Sequence, residues 1–147
     1  MHTFKHKTLI QIRFKDVDMM GHVNNANHFT YLEYARVKYF NDVAGEEVNW
    51  TKQGIILAKA VLDYKIPILF NDTIYVYTKC SRIGNKSFDL EYKIIKSPTS
   101  SPKEGGAATM EAVLAEASTV LVCYDYEKGQ SILMPEEWKR KIKVFEK

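Results

Sequence analysis

The chain has 147 residues and a formal net charge of +3 at pH 7; 46% of its residues are hydrophobic and 27% are charged. These proportions are near those of globular domains, so they argue against a disordered or fibrous protein, and the small net charge argues against nucleic-acid binding. The length fits one domain over residues 1–147. Because no signal-peptide-like segment opens the sequence and no run approaches the roughly 20 apolar residues that span a bilayer, we expect a cytoplasmic protein without a membrane span.

The first predicted elements are a strand and a long helix. Residues 8–14 alternate between apolar and polar side chains, as a strand does. Residues 26–44 contain no Gly or Pro; Asn24 and Asn25 are candidate caps for the start of this helix, and Gly45 is a suitable residue to end it. Apolar and aromatic residues cover more than one stripe of the helix, so we expect other parts of the protein to surround it on most sides.

Four further strands are predicted after the helix, because the sequence becomes rich in Val, Ile, Tyr and Leu between turn-forming residues. The run Gly84-Asn85-Lys86 indicates a tight hairpin between the second and third of them. The segment 97–106 is rich in Ser, Pro and Gly and is expected to be a loop. Pro135 suits the first turn of a short helix over residues 135–142. The predicted strands cover residues 55–64, 74–83, 88–95 and 112–126.

The order of these elements predicts an α+β fold. Successive strands joined by short turns favour an antiparallel sheet, and the long helix is segregated near the start of the chain. We expect such a sheet to wrap the long helix on one face, with the short helix near the C-terminus. The sequence contains no internal repeat and no linker that would indicate a second domain.

Motifs of several other enzyme classes are absent from the sequence. It has no Gly-x-Ser-x-Gly motif of serine hydrolases and no glycine-rich loop that cradles phosphates. The histidines lack metal-ligand spacing with Cys or Glu, so we expect no metal. Cys80 and Cys123 lie far apart in two predicted strands, and we interpret them as free thiols, with a disulfide as the alternative. The four histidines are His2, His6, His22 and His28.

The most informative segment is the turn between the first strand and the long helix. It brings carboxylates, imidazoles and carboxamides next to the first turn of a helix, where free backbone N–H groups can meet a developing anion. It also contains few of the Lys, Ser and Pro residues that are usual in solvated loops. We therefore interpret this turn as the active site. Its sequence is Asp16-Val-Asp18-Met-Met-Gly21-His22-Val-Asn24-Asn25-Ala-Asn27-His28.

Several motifs carry a resemblance to a known family. With these motifs in this order over nearly the whole chain, the sequence resembles the acyl-CoA thioesterases of the hotdog fold, in the hydroxybenzoyl-CoA thioesterase-like group. The Asp-x-x-x-His-Val-Asn-Asn core is also similar to plant acyl-carrier-protein thioesterases. The motifs are Asp18-x-x-Gly21-His22-Val23-Asn24-Asn25, Phe29-x-Tyr31-x-Glu33-x-Ala35-Arg36, Leu62-Asp63-Tyr64-x-x-Pro67-x-x-x-x-Asp72, Ile83-Gly84-x-Lys86-Ser87, and Val120-Leu-Val-Cys-Tyr-Asp125 with Met134-Pro135.

The resemblance implies both a fold and an activity. The implied fold is a long central helix wrapped by a curved antiparallel sheet of about five strands, paired with a second copy into a homodimer whose active sites lie at the subunit interface. Two such dimers often associate into a homotetramer. The implied activity is hydrolysis of an acyl-CoA to free coenzyme A and a carboxylic acid, without a cofactor. The alternatives are an acyl-carrier-protein thioesterase and a non-catalytic protein that binds acyl-CoA and regulates.

The resemblance also implies roles for residues of the turn. Asp18 matches the catalytic carboxylate of the family, and it either attacks the thioester carbonyl or acts as a general base on water. We interpret Asp16 as a solvent-facing or structural carboxylate. Asn25 matches a residue at the helix start whose backbone N–H faces the thioester oxygen. His22 matches the histidine of the plant motif; it orients water, steadies the leaving thiolate, or has no chemical role.

Substrate-binding residues follow from the same resemblance. Arg82, Lys86 and Ser87 flank a turn that lies beside coenzyme A in relatives, so we expect them to hold its phosphates by charge-assisted hydrogen bonds. Phe29, together with Tyr31, is expected to shape the acyl pocket, although core packing explains aromatic residues equally well.

Two features of the sequence limit how far the resemblance extends. Glu33 and Arg36 are charged residues on an otherwise apolar helix, and we interpret them as a salt bridge or an interface contact, with Glu33 as an alternative catalytic base. The plant motif has asparagine where this chain has Met20, and a glutamate in the region where this chain has Ile66 and Pro67. These departures favour a mechanism that depends on Asp18 and helix N–H groups alone.

Overall fold

Two helices and a six-stranded antiparallel sheet make up the described part of the chain, which is residues 3–45, 49–98 and 111–147 of a computed structural model. The strands lie in the order β1-β3-β4-β5-β2, and β6 pairs with β5. This is the α+β architecture that the resemblance implies. In chain order the elements are β1 (His6–Ile10), α1 (Asn25–Ala44), β2 (Gln53–Tyr64), β3 (Ile74–Ile83), β4 (Ser87–Lys96), β5 (Ala112–Asp125), β6 (Gln130–Ser131) and α2 (Glu136–Glu146).

The long helix α1 begins and ends where its capping residues predict. The side chain of Asn24 accepts a hydrogen bond from the backbone N–H of Ala26 at 3.0 Å, and Gly45 ends the helix with a positive φ of 95°. One side of α1 is buried, but Tyr34 is 57% exposed on the other side. The prediction that protein surrounds the helix on most sides is therefore wrong within one protomer, because a single sheet covers only one side of a helix.

The chain leaves the sheet earlier than the alternating pattern predicts. Strand β1 ends at Ile10, and Phe14–Asp16 form one turn of 3-10 helix. Two hydrogen bonds close that turn: the backbone N–H of Asp16 donates to the carbonyl of Arg13, and the backbone N–H of Arg13 donates to the Asp16 carboxylate. The Asp16 carboxylate thus binds a backbone N–H group that could otherwise pair within the sheet. The alternation of side chains in the sequence does not reveal this competition.

The other predicted strands and the short helix are confirmed with small shifts of their ends. The hairpin turn between β3 and β4 is closed by a hydrogen bond of 2.7 Å from the backbone N–H of Gly84 to the carbonyl of Ser87. Strand β6 was not predicted, since two residues are too few to show a pattern. Within the predicted loop 97–106, residues 99–106 lie outside the described residues. In the described ranges, neither helix is long and apolar enough to cross a bilayer.

Candidate active site

The turn before α1 folds as a small hairpin of its own. The backbone N–H of Asp18 donates to the carbonyl of His22 at 2.9 Å, and Gly21, with a φ of +83°, donates to the carbonyl of Asp18 at 3.0 Å. Within the described ranges, the Asp18 carboxylate accepts one hydrogen bond, from the backbone N–H of Met20 at 2.9 Å. Asp18 is half-buried. One of its oxygens therefore braces the turn, while the carboxyl group remains partly open to a substrate.

The start of α1 is held from several sides by residues that are distant in the chain. The backbone N–H of Val23 donates to the carbonyl of Ile68, and the backbone N–H of Asn24 donates to the carbonyl of Asp16, both at 2.8 Å. The hydroxyl of Tyr64, at the end of β2, donates to the carbonyl of Asn25 at 2.8 Å. These contacts hold the first helical turn in one position, and such preorganisation is what an anion-binding helix start requires.

The backbone N–H of Asn25 is the free donor of this helix start. The N–H groups of Ala26 and Asn27 donate to Asn24, whereas the N–H of Asn25 has no acceptor among the residues that the structure describes. The first N–H groups of a helix lack intrahelical partners and carry the positive end of its dipole. This N–H group can therefore donate to a negatively charged oxygen.

A cavity of about 230 Å³ lies beside this helix start, with Asn25 in its wall. It brings together two residues of the sequence-predicted site, His22 and Asn25. Asp18 is not part of its wall, but the hydrogen bond from Asp18 to the His22 carbonyl links the aspartate directly to the wall. The lining consists of His22, Val23, Asn25, His28, Tyr64, Lys65, Ile66 and Pro67.

Asp16 is a structural carboxylate, and the alternative of a solvent-facing residue is wrong. It is 1% exposed and accepts hydrogen bonds from the Tyr31 hydroxyl at 2.7 Å and from the backbone N–H of Arg13 at 3.0 Å. The Arg13 guanidinium lies 3.1 Å from the other carboxylate oxygen. Burial alone would raise the pKa of Asp16, but these hydrogen bonds and the guanidinium outweigh burial and lower it. Asp16 therefore stays ionised and holds Tyr31 in place.

Two residues of the cavity wall, His28 and Tyr64, have no catalytic or binding role in the predictions from the sequence, although His28 lies at the end of the predicted active-site turn. Their rings meet edge to face with centroids 4.8 Å apart, and His28 is 2% exposed. Burial lowers the pKa of His28, while the carbonyl groups of Asn24 and Asn25 partly oppose that effect. The signal that points to His28 is its position three residues after Asn25, since such residues share one face of a helix.

Arg82 is less available for phosphates than the sequence suggests. Its guanidinium donates two hydrogen bonds of 2.9 Å to the carboxylate of Asp89, and a third of 3.1 Å to the hydroxyl of Ser87. The hydrogen bonds to Asp89 and its negative charge raise the pKa of Arg82. Lys86 is exposed, and its ammonium group has no ion-pair partner in the described ranges. Of the three predicted phosphate-binding residues, Lys86 is thus the free cation.

Within one protomer, this hairpin turn lies far from the helix start. Tyr64 of β2 pairs with Ala115 of β5, whereas Ser87 of β4 pairs with Val122 of β5. Val122 follows Ala115 by seven positions, which corresponds to about 23 Å along a strand. The two parts of the predicted site therefore lie toward opposite ends of the sheet.

Phe29 lines a separate, smaller cavity of about 150 Å³ between α1 and β2. Arg36 and Glu33 are on the same wall and lie 4.0 Å apart, which favours the salt-bridge interpretation of this pair. The guanidinium of Arg36 also donates to the Tyr92 hydroxyl at 3.3 Å. Tyr31 faces a different groove, and its hydroxyl is used by Asp16, so its role in an acyl pocket stays a prediction.

Cysteines and metal-binding groups add nothing to the site. Cys80 and Cys123 are free thiols, and burial raises their pKa values to about 12 and about 11. At neutral pH both thiols are therefore protonated and weakly nucleophilic. The described residues contain no group of three or more His, Cys, Asp or Glu side chains that could hold a metal ion.

Comparison with known proteins identifies the class of this protein. Residues 12–142 match the Thioesterase-like superfamily. YsmA, an uncharacterized protein of Bacillus subtilis (strain 168), is 30% identical over 120 residues, which are 81% of this chain and 80% of YsmA. The long-chain acyl-CoA thioesterase FadM of Escherichia coli (strain K12) is 24% identical over 144 residues, which are 96% of this chain and 99% of FadM.

Solved structures agree with this class. A thioesterase from Thermus thermophilus, solved in complex with coenzyme A and zinc, has a TM-score of 0.77 and 27% identity, covering 99% of this chain and 97% of that one. The chain belongs to the thioesterase-like superfamily. It is a thioester hydrolase with the hotdog fold.

Proposed function

We propose that the protein hydrolyses acyl-CoA thioesters, with Asp18 as the reacting carboxylate and the backbone N–H of Asn25 as the donor to the oxyanion. The observation that carries this proposal is the free N–H of Asn25 at a braced helix start beside a cavity. A donor of this kind is typically worth about 10²–10³ in rate. The similarity to a long-chain acyl-CoA thioesterase supports coenzyme A as the carrier of the acyl group.

The chemistry has two routes that use the same residues. In the direct route, a water oxygen bonds to the acyl carbon while one water proton passes to the Asp18 carboxylate. The C–S bond then breaks, its electron pair leaves on the coenzyme A sulfur, and that sulfur takes the proton. In the nucleophilic route, an Asp18 oxygen forms the bond to the acyl carbon and expels the thiolate. Water then bonds to the acyl carbon of the mixed anhydride, the C–O bond to Asp18 breaks and restores the carboxylate, and the proton that the water loses passes to the coenzyme A thiolate.

A homodimer through the β2 edges would complete the site. Among the described strands, β2 lies at the edge of the sheet with no strand on its outer side. It carries exposed apolar residues that are usually covered in a soluble protein, namely Ile56, Leu57, Val61 and Tyr64. Antiparallel pairing of two β2 strands about a twofold axis places the Gln53 end of one protomer beside the Tyr64 end of the other. Further association of two dimers belongs to the same proposal.

This pairing explains why the predicted site is divided within one protomer. The register links Ser87 through Val122 to Ile56, near the Gln53 end of β2. The hairpin turn of one protomer then approaches the helix start of the other, where Lys86 can meet the phosphates of a coenzyme A whose thioester lies at Asn25. The positive charge of Arg82 would also attract these phosphates while Arg82 keeps its ion pair with Asp89.

The direct test is thiol release from a panel of acyl-CoAs, followed with a chromogenic disulfide, for the wild type and Asp18→Asn. We expect Asp18→Asn to lower kcat by about 10²–10⁴-fold, because the carboxamide can neither attack nor accept a proton. The amide oxygen can still accept from Met20, so the turn should keep its fold. Glu136→Gln is the matched control, since it makes the same change on an exposed carboxylate of α2 and should leave kcat unchanged.

Three outcomes would contradict the proposal. Full activity of Asp18→Asn would show that Asp18 is not the reacting group, and Glu33 or His22 would become the candidate. Tight acyl-CoA binding by the wild type, with no turnover at any chain length, would identify a non-catalytic binding protein. Turnover of acyl-carrier-protein thioesters, with none of acyl-CoAs, would identify the carrier-protein alternative.

A further inference from the structure

The buried imidazole of His28 has a polar environment that core packing does not explain. It lies on the first turn and a half of α1, is 2% exposed, and lines the same cavity as the free N–H of Asn25. Its Nδ1 is fully enclosed and has no hydrogen-bonding partner among the described residues. A buried polar atom without a partner costs about 1–3 kcal/mol, so packing alone does not favour a histidine at this position.

The surroundings of the ring indicate which nitrogen can accept a hydrogen bond. The carbonyl groups of Asn24 and Asn25 act on the imidazole and favour a protonated nitrogen, although neither meets hydrogen-bond geometry with Nδ1. Nδ1 is the enclosed nitrogen, whereas Nε2 is not enclosed in this way. We assign the proton to Nδ1 on these grounds, which leaves Nε2 as an acceptor.

The charge of the ring agrees with this assignment. Burial lowers the pKa of His28 below its ordinary value of 6.5, so the imidazole is uncharged at neutral pH. The titratable groups that share its cavity are His22, Tyr64 and Lys65. None of them is a carboxylate, and a carboxylate is the neighbour that would favour the charged imidazolium.

The cavity has room for the reacting water. A volume of about 230 Å³ exceeds the roughly 30 Å³ that one water occupies in the liquid. Asn25 and His28 are three residues apart and therefore face the same side of α1. Tyr64 fixes both of them, since its hydroxyl donates to the Asn25 carbonyl and its ring packs against the imidazole.

We propose that His28 is a positioning residue for hydrolysis, whose Nε2 accepts a hydrogen bond from the attacking water and holds that water beside the thioester carbonyl at the start of α1. This inference rests on the proposed function. The water oxygen bonds to the acyl carbon, of the thioester or of the Asp18 anhydride, and its proton leaves to the acceptor described above for each route. His28 gains no proton in either route; it fixes where the water oxygen lies.

The test compares three substitutions that retain different atoms of the ring. Glutamine places a polar atom near the position of Nε2, asparagine places one near Nδ1, and phenylalanine keeps the ring shape without either. We expect His28→Phe and His28→Asn to lower kcat by about 10²-fold with KM nearly unchanged, as the loss of a water-positioning contact predicts. His28→Gln should retain kcat within about tenfold of the wild type.

The pH profile gives a second readout that a purely structural role would not change. In the wild type, kcat should fall as the pH drops through the lowered pKa of His28, because the imidazolium cannot accept from water. His28→Gln does not titrate, so this part of the acid limb should be missing. His6→Gln is the matched control: His6 is also buried with an enclosed Nδ1, but it packs on Tyr39, eleven residues further along α1.

The outcomes separate this inference from the proposed function. A higher kcat for His28→Asn than for His28→Gln would overturn the role of Nε2. An acid limb of the pH profile that is the same in His28→Gln as in the wild type would overturn it as well. The role would also be overturned if, across all variants including His6→Gln, the loss of kcat were proportional to the loss of melting temperature. Wild-type activity with no effect of any His28 substitution would overturn the inference alone, whereas a wild type that hydrolyses no thioester would overturn both.

Discussion

Asp16 and Asp18 are two residues apart and have opposite surroundings. Asp16 is enclosed and accepts from Arg13 and Tyr31, and these contacts hold its pKa below the ordinary value of 3.8. Asp18 is half-buried and accepts a single backbone hydrogen bond from the part of the chain that the structure describes. A carboxylate whose oxygens are already used stabilises the fold, while one with free oxygen lone pairs can react. The two aspartates therefore differ in what they can do, although their residue type is the same.

Stability measurements should separate the two aspartates. Asp16→Asn should lower the free energy of unfolding by about 2–4 kcal/mol, since it leaves buried donors without their charged acceptor. Asp18→Asn should change it by less than about 0.5 kcal/mol. Urea unfolding at neutral pH measures both.

The pH dependence has a defined sign. Because the pKa of Asp16 is lowered in the folded state, its contribution to stability is present above pH 3.8 and is lost as the pH falls from there through the folded-state pKa. Asp16→Asn should therefore show a weaker loss of stability in this acidic range than the wild type. An equally steep acid transition in both proteins would contradict the structural role of Asp16.

At the scale of elements, the site is the junction of a turn, a helix and a strand end. Gly21 gives the turn its positive φ of 83°, which lets the chain reverse between Asp18 and His22. Tyr64 connects the end of β2 to the first residue of α1. No single element contains the site, so its geometry depends on how well these three are held together.

A substitution at Gly21 tests this dependence without introducing a steric clash. A Cβ at this position would have no atom within 4 Å, so the cost of Gly21→Ala is the backbone conformation itself, about 1–2 kcal/mol. Gly21→Asn is the matched variant, because asparagine tolerates positive φ better than alanine. We expect the alanine variant to lose more stability in urea unfolding and more kcat. Equal effects of the two substitutions would show that the positive φ is unimportant.

At the scale of the whole molecule, the separation of the hairpin turn from the helix start has one simple explanation. The register places them about 23 Å apart along the sheet of one protomer. A twofold dimer through β2 would bring the turn of one protomer to the helix start of its partner. Catalysis and dimer formation would then be inseparable.

Mixing two defective variants tests this arrangement. Asp18→Asn removes the reacting carboxylate, and Lys86→Glu weakens coenzyme A binding. Each variant alone should therefore be nearly inactive when the substrate concentration is below the KM of the wild type. If the two residues of one site come from different protomers, an equilibrated 1:1 mixture contains mixed dimers with one intact site each. It should then recover about a quarter of wild-type activity. No recovery, with mixed dimers demonstrated by mass, would show that each site lies within one protomer.

Local patterns in the sequence determined much of the fold. Asn24, Gly45 and Pro135 mark helix ends through backbone chemistry that acts over a few residues, and alternating or β-branched runs mark strands. The turn around Asp18 was also visible in the sequence, because its polar composition contrasts with the apolar segments on either side. The resemblance to hotdog thioesterases, confirmed by the family match, added the class of reaction.

The tertiary structure alone decided which polar groups are used and which are free. The burial of Asp16, the pairing of Arg82 with Asp89 and the free N–H of Asn25 each depend on side-chain positions that composition does not specify. Tyr64 reaches Asn25 across 39 residues of chain. Such contacts depend on how the strand and helix pack, and a pattern read over a few neighbouring residues contains no information about that distance.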